Sequence, residues 1–491
     1  MRVLETQFLY MNKLLLSFLL CLILAGAFFS CKDDYENFST SPNDILSFSH
    51  DTLSFDTVLS TIGSATHKIM VYNHNKKPLQ ISSISLEGAA NSSFRINVDG
   101  NSGVRFENVI IREKDSLFVF VETTLKENET SNPILILDSI VFITNTVKQQ
   151  VILQAYGQDA YIYKGGWVID KDSVLRNDKP YLIYDSLVVN ENVSLTLQEG
   201  TTIYLHDKTK VDIYGSLKIK GSQEKPVTIR GDRLDKVINI PYDKQPGQWE
   251  GIRFYANSYG NEIDYARIRN GMFGILCDSS DVSVAKLTIQ NTVLTNVYYN
   301  LLEAENCRIE ASNSEFSNAG GALVALTGGS YRFVHCTLAN YFSSWGMRSG
   351  ASLRLSNYKK SGEETTPLAL QQADFLNCII YGSNTNEISI NKAKEEEAIQ
   401  ADFNYRLDYC LIRMKYEDLS TDHITNYLLN EDPEFSLMDS RKSEYDFRLK
   451  EGSPAIDAGS DSYIIGVDMN GILRPQGSGP DIGSYEWMSV D

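Results

Sequence analysis

Histidine and paired cysteine are what this sequence has little of. Its six histidines (His50, His67, His74, His206, His335 and His423) are dispersed, and none of its seven cysteines forms a C-x-x-C pair. No zinc or thiol-redox motif is therefore present. Basic residues are also short: 45 Lys plus Arg face 63 Asp plus Glu, a formal net charge of −18. Such a field repels a nucleic-acid backbone, so no nucleic-acid partner is expected. Long apolar runs are missing too. The stretch Leu14–Leu24 is the greasiest, and it is too short for a stable transmembrane helix. What remains is 42% hydrophobic and 11% aromatic, enough to bury a large core.

That apolar stretch is preceded by Lys13 and followed by the small residues Ala25, Gly26 and Ala27 and then Phe28-Phe29-Ser30-Cys31-Lys32-Asp33-Asp34. A basic start, a short greasy run and small residues make a secretory leader over 1–30. The junction resembles a bacterial lipoprotein processing site, in the relaxed form found in Bacteroidetes. This resemblance implies lipidation of Cys31, and Lys32-Asp33-Asp34 is similar to the tag that sends such lipoproteins to the outer face of the outer membrane. The expected partner is thus a membrane, through a lipid. Lipidation of Cys31 and loss of Cys21 leave Cys277, Cys307, Cys336, Cys378 and Cys410, an odd number that argues against a full disulfide framework.

After a linker over 31–43, residues 44–158 carry short alternating runs at turn-delimited spacing, among them Lys68-Ile69-Met70-Val71 and Leu117-Phe118-Val119-Phe120-Val121. The pattern is that of a β-sandwich and resembles the immunoglobulin-like modules beside cell-surface anchors. From about Tyr161 a stacked repeat takes over. Apolar-x-apolar elements end at Asn270, Asn291, Asn318 and Asn340, and two more members, around Ile380 and Ile412, lack the Asn. A period in the low twenties, rich in β-branched residues and poor in helix, predicts a parallel β-helix over 159–440. Alternation along each strand predicts that Ile268, Ile289, Phe316, Leu338, Ile380 and Ile412 stack inward. Arg267, Thr288, Glu315, Thr337, Ile379 and Leu411 should then point outward. Asn270, Asn291, Asn318 and Asn340 should form a ladder of stacked side chains, with Asn296 outside it. Cys336, Cys378 and Cys410 share a register and are expected in the core as small hydrophobes.

Gly247-Gln248-Trp249-Glu250-Gly251-Ile252-Arg253-Phe254 resembles the entry turns of right-handed, pectin-lyase-like parallel β-helix proteins. Ser453-Pro454-Ala455-Ile456-Asp457-Ala458-Gly459, Asp468-Met469-Asn470-Gly471, Arg474-Pro475 and Asp481-Ile482-Gly483-Ser484-Tyr485-Glu486-Trp487 are similar to the terminal module of exported Bacteroidetes β-helix proteins. The expected fold class is therefore all-β, a sandwich followed by a right-handed parallel β-helix, with a terminal module over 441–491.

The resemblance does not carry an activity with it. Polygalacturonase-like hydrolases have N-T-D, D-D, G-H-G and R-I-K elements on adjacent turns. This chain has no D-D followed by G-H-G, so no catalytic carboxylates are assigned. Arg253, Arg267 and Arg269 could line one strip of a polysaccharide lyase, though a solvated ion-pair face accounts for them more simply. Asp468-x-Asn470-Gly471 echoes part of a calcium loop, but Gln476–Pro480 has no acid for the bidentate ligand, and an Asx turn explains it better. Calcium is the one cofactor left open. Tyr298, Tyr299, Tyr341 and Trp345 fall in turn regions, where aromatics can stack on sugar rings or cover the core. The expected role is non-catalytic glycan or surface-component binding. The alternatives are a polysaccharide lyase or glycoside hydrolase, and a structural or adhesive protein.

Overall fold

The computed structural model describes residues 37–128, 130, 132–237, 240–343, 346–393 and 401–489. The structure divides into two compact units, one made of most of the residues up to Ala155 and one of Tyr156–Asp491 with two short earlier segments. The first is an antiparallel sandwich. One five-stranded sheet includes His67–Tyr72, Ser116–Thr123 and Phe94–Val98; the other includes Val147–Gln158, Ile134–Thr144 and Leu79–Leu86. Alternation sets its core: Val119 and Val121 are fully buried, while Phe118 and Phe120 of the same strand are exposed.

The second unit is a parallel β-helix, as the repeat predicts. Three parallel sheets are threaded in turn. Sheet I starts at Tyr161–Tyr163, sheet II at Trp167–Ile169 and sheet III at Ser173–Leu175, and the chain then returns to sheet I at Tyr181–Ile183. Each strand pairs with the strand one coil earlier, so every inward side chain sits on its predecessor. In sheet I the stack is Ile268, Leu294, Phe316, Leu338, Ile380 and Ile412, all buried. Each such side chain stabilises the fold by about 1.5–3 kcal/mol relative to exposure. Ile289 is also buried and inward, but in sheet III, where it pairs with Ile263 and Ala311. The simple apolar-x-apolar-x-Asn pattern cannot tell one sheet of the coil from another, which is why Ile289 and Thr288 read as members of the sheet I columns.

The ladder divides for the same reason. Asn291 lies in the tight turn from sheet III to sheet I. The residues in that place, Tyr265, Asn291, Asn313, His335, Asn377, Tyr409 and Asn426, all have positive φ between 46° and 52°. Asn tolerates this left-handed conformation better than most residues. Asn313 Nδ2 donates to Asn291 Oδ1 at 3.3 Å, and Asn377 Nδ2 donates to His335 Nε2 at 3.0 Å. Asn270, Asn318 and Asn340 form a different column, at the end of sheet I. Asn296 fills the rung between Asn270 and Asn318 that Asn291 was expected to fill. The residue after the left-handed turn also repeats, as Thr292, Ser314, Cys336, Cys378 and Cys410. Each donates back to the carbonyl two residues earlier: Thr292 to Gln290 at 2.6 Å, Ser314 to Ser312 at 2.7 Å and Cys378 to Leu376 at 3.3 Å. Cys336, Cys378 and Cys410 are buried and free, so they serve here as weak-donor substitutes for the hydroxyls.

The coil runs to Leu428–Leu429, after which an antiparallel hairpin, Phe435–Asp439 with Glu444–Leu449, opens the terminal module. This module covers the outer face of the later strands of sheet I. Ala339, Ile379, Tyr381 and Leu411 form one cluster with Phe435, Phe447, Leu449, Ala455, Ile482 and Tyr485. The outward Ile379 and Leu411 are therefore buried under a second layer. Polar groups fix the module to the sheet III–sheet I turn. Arg474 donates to Asn313 Oδ1 at 2.6 Å and to Gly483 O at 3.1 Å, and pairs with Glu486 at 3.3 Å, both side chains fully buried. Asn377 bonds both ways with Ser460, and Ser484 bonds Thr337.

Candidate functional site

The turns from sheet I to sheet II build a shelf. Tyr298 N–H donates to Gly271 O at 3.1 Å, Tyr299 N–H to Met272 O at 2.7 Å, and Gly321 N–H to Tyr299 O at 3.1 Å, so successive turns are bonded backbone to backbone. This approach needs Gly320 and Gly321: a Cβ at Gly320 would stand 2.2 Å from Tyr298 O, and one at Gly321 would stand 2.4 Å from Asn300 Oδ1. With backbone on the inside, the rings of Tyr298 and Tyr299 turn outward, 43% and 46% exposed. They meet edge to face at 5.0 Å, and Phe273 lies 5.0 Å from Tyr299.

Polar groups flank the rings. Asn300 donates to Glu303 Oε2 at 2.7 Å, and its Oδ1 accepts from Arg354 Nη2 at 2.7 Å and from Ala322 N–H at 2.9 Å. The hollow between these groups and the segment 346–349 measures about 400 Å³. Arg348 pins that segment. It forms a buried pair with Glu387, donating from Nη1 to Oε1 at 2.6 Å, while the Ser352 hydroxyl and the Asn384 N–H donate to the same carboxylate at 2.7 and 2.8 Å.

The sequence-predicted residues separate. Tyr298 and Tyr299 share the shelf. Tyr341 lies under the terminal module, its ring 6.1 Å from Phe447 and 6.3 Å from Tyr445, and burial pushes its phenol well up. Trp345 and Cys31 lie outside the described residues. Arg253 is on sheet II, over the Tyr255 ring at 4.7 Å and paired with Asp278 at 3.1 Å. Arg267 and Arg269 are on sheet I, so the three arginines do not form one strip. Asp468 spends both carboxylate oxygens on backbone N–H groups: Asn470 at 2.8 Å, Ile472 at 2.7 Å and Glu486 at 2.9 Å.

A second hollow, a groove of about 430 Å³, lies between the outer face of sheet I and the terminal module. Glu315 stands on its floor and accepts from Tyr485 Oη at 2.6 Å and from Ser317 Oγ at 2.7 Å. Burial nevertheless pushes its carboxyl above the ordinary range. Glu315 was legible only as the single acid in an outward column. Its groove depends on Tyr485, 170 residues away, and on a module whose docking no local pattern reveals.

No family model matches the chain, and no curated protein matches it. Among solved structures it is similar to the pectate lyase Pel9A, with TM-score 0.29 and 10% identity over 67% of this chain and 88% of that one. It is also similar to the catalytic domain of a GH87 alpha-1,3-glucanase, with TM-score 0.17 and 12% identity over 74% and 87%. A third neighbour is a protein of unknown function from Porphyromonas gingivalis W83, with TM-score 0.18 and 11% identity over 26% of this chain. The chain spans less than two thirds, 60%, of that protein's length. The parallel β-helix rests on the strand registers themselves.

Proposed function

We propose that this chain is a lipid-anchored surface protein that holds a glycan on the Tyr298–Tyr299 shelf without cutting it. The observation that carries the reading is the pair of rings, each nearly half exposed and set edge to face beside the Asn300–Glu303–Arg354 network. Large exposed aromatics on a rigid turn offer an apolar face for a pyranose ring at little entropic cost. The amide, carboxylate and guanidinium beside them supply both donors and acceptors for hydroxyls. Both rings sit on backbone that is bonded coil to coil, which suits a binding surface that exists before the ligand arrives.

The test is binding to a glycan array by the wild type and by Tyr299→Ala, which leaves the coil intact because the ring points outward. Loss of one large aromatic contact should weaken binding by about tenfold; equal binding by both proteins would contradict the shelf. The anchor rests on the resemblance at Cys31. Labelled palmitate should enter the wild type and not Cys31→Ala, and equal labelling of both would remove the anchor from the reading.

A further inference from the structure

We infer that the groove between the outer face of sheet I and the terminal module is a second binding site, one that takes a saccharide unit bearing a single carboxylate and pairs it with Arg267. This site is independent of the aromatic shelf.

The charges in the groove are almost all matched. Lys244 pairs with Glu444 at 2.9 Å, and Asp243 serves both Arg269 at 3.4 Å and Arg230 at 3.7 Å. Asp446 accepts from Arg448 Nε at 3.0 Å. Glu315 is capped by the hydroxyls of Tyr485 and Ser317; burial pushes its carboxyl up, while those two hydrogen bonds and the field of Arg267 act against the shift. Arg267, exposed at the groove, makes no ion pair among the described residues. One unmatched guanidinium in a concave site calls for one carboxylate, which it can hold with two parallel hydrogen bonds.

The remaining surface is that of a sugar site. Register pairs Arg267 with Val293 and Val293 with Glu315, so cation and acid stand in one column two strands apart, about 10 Å along the sheet. Val293 stands between them, and the hydroxyls of Thr295 and Ser317 lie in the next outward column, beyond Arg269. The amide of Asn296 also lines the groove, and its nitrogen has no hydrogen-bond partner among the described residues. The parallel rings of Tyr445 and Phe447, 5.9 Å apart, supply an apolar wall. A volume of about 430 Å³ falls within the range of small-molecule sites. The net charge of −18 opposes a polymer charged at every residue, so an acidic unit among neutral ones suits the site better than a polyuronate.

The experiment titrates the full chain with uronic-acid-terminated disaccharides of gluco, galacto and manno configuration and with their neutral counterparts. At least one acidic disaccharide should bind about 10- to 100-fold more tightly than its neutral partner, and Arg267→Gln should erase that difference. Tyr299→Ala should leave it intact, which separates failure of this site from failure of the shelf. Arg267 is exposed, so its replacement should not change the melting temperature. The proposal is overturned if no acidic disaccharide binds, if acidic and neutral partners bind alike, or if Arg267→Gln retains the preference.

Discussion

Asn313 shows what one side chain does in the sheet III–sheet I turn. It holds a left-handed backbone, donates to Asn291 Oδ1 at 3.3 Å and to Val467 O at 2.8 Å, and accepts from the buried Arg474 at 2.6 Å. Asn296 has the same backbone conformation, yet its amide nitrogen is unmatched among the described residues. Glycine keeps the left-handed turn at no steric cost and removes only the side chain. Asn313→Gly should therefore cost about 1–3 kcal/mol, since it leaves buried partners unpaired, and Asn296→Gly much less. Chemical denaturation of the two variants measures the difference, and similar losses would mean that backbone conformation alone maintains these columns. The sequence made asparagine columns legible because a repeated Asn is itself the signal. It could not sort them, because His335 and Tyr409 occupy Asn positions in one column while Asn296 escaped the expected spacing in the other.

The terminal module is the element whose role was least visible. Its motif residues turn out to be a clasp: Asp468, Asp481 and Glu486 accept backbone N–H groups within the module, while Arg474 and Ser484 reach the coil. A signal for its docking was present in the outward Ile379 and Leu411, apolar on a face that solvent would otherwise wet. What those two residues could not reveal is which segment covers them, since the partner lies far along the chain. Burial, with the neighbouring Glu486 and Asp457 carboxylates, pushes Asp481 up to about 7 from an ordinary value of 3.8. The folded module thus favours the neutral acid. This contribution is fully present below about pH 4 and is lost as pH rises to about 7. His335, buried beside Arg474 and held well below 6.5, acts with the opposite sign: its contribution is present above that value and is lost as pH falls. Asp481→Asn isolates the first effect. Urea unfolding at a series of pH values should show the wild type losing stability relative to Asp481→Asn between pH 4 and pH 7. A pH-independent difference would show that Asp481 titrates alike in the folded and unfolded chains.

At the scale of the whole molecule, the alternation of two periods, short antiparallel runs and then a coil repeat in the low twenties, was enough to give the all-β class and the change from sandwich to β-helix. Function was less legible. Tyr298 and Tyr299 stood out as aromatics in a turn, but Tyr341 had the same appearance and lies beneath the hairpin. Turn aromatics look alike in sequence whether they face solvent or a second layer, because the layer comes from elsewhere in the chain. The arginines were similarly ambiguous, since adjacent sheets of a coil present side chains of the same alternation in different directions. Above these stands the proposal that the exposed pair holds a glycan intact. Its most direct test is incubation of the full chain with a polysaccharide panel, with and without calcium, following retention of polymer on immobilised protein together with reducing ends and ultraviolet-absorbing unsaturated products. The expected result is retention of at least one polymer by the wild type, weakened by Tyr299→Ala, with neither product formed. New reducing ends or unsaturated sugars, or retention unchanged by Tyr299→Ala, would contradict it.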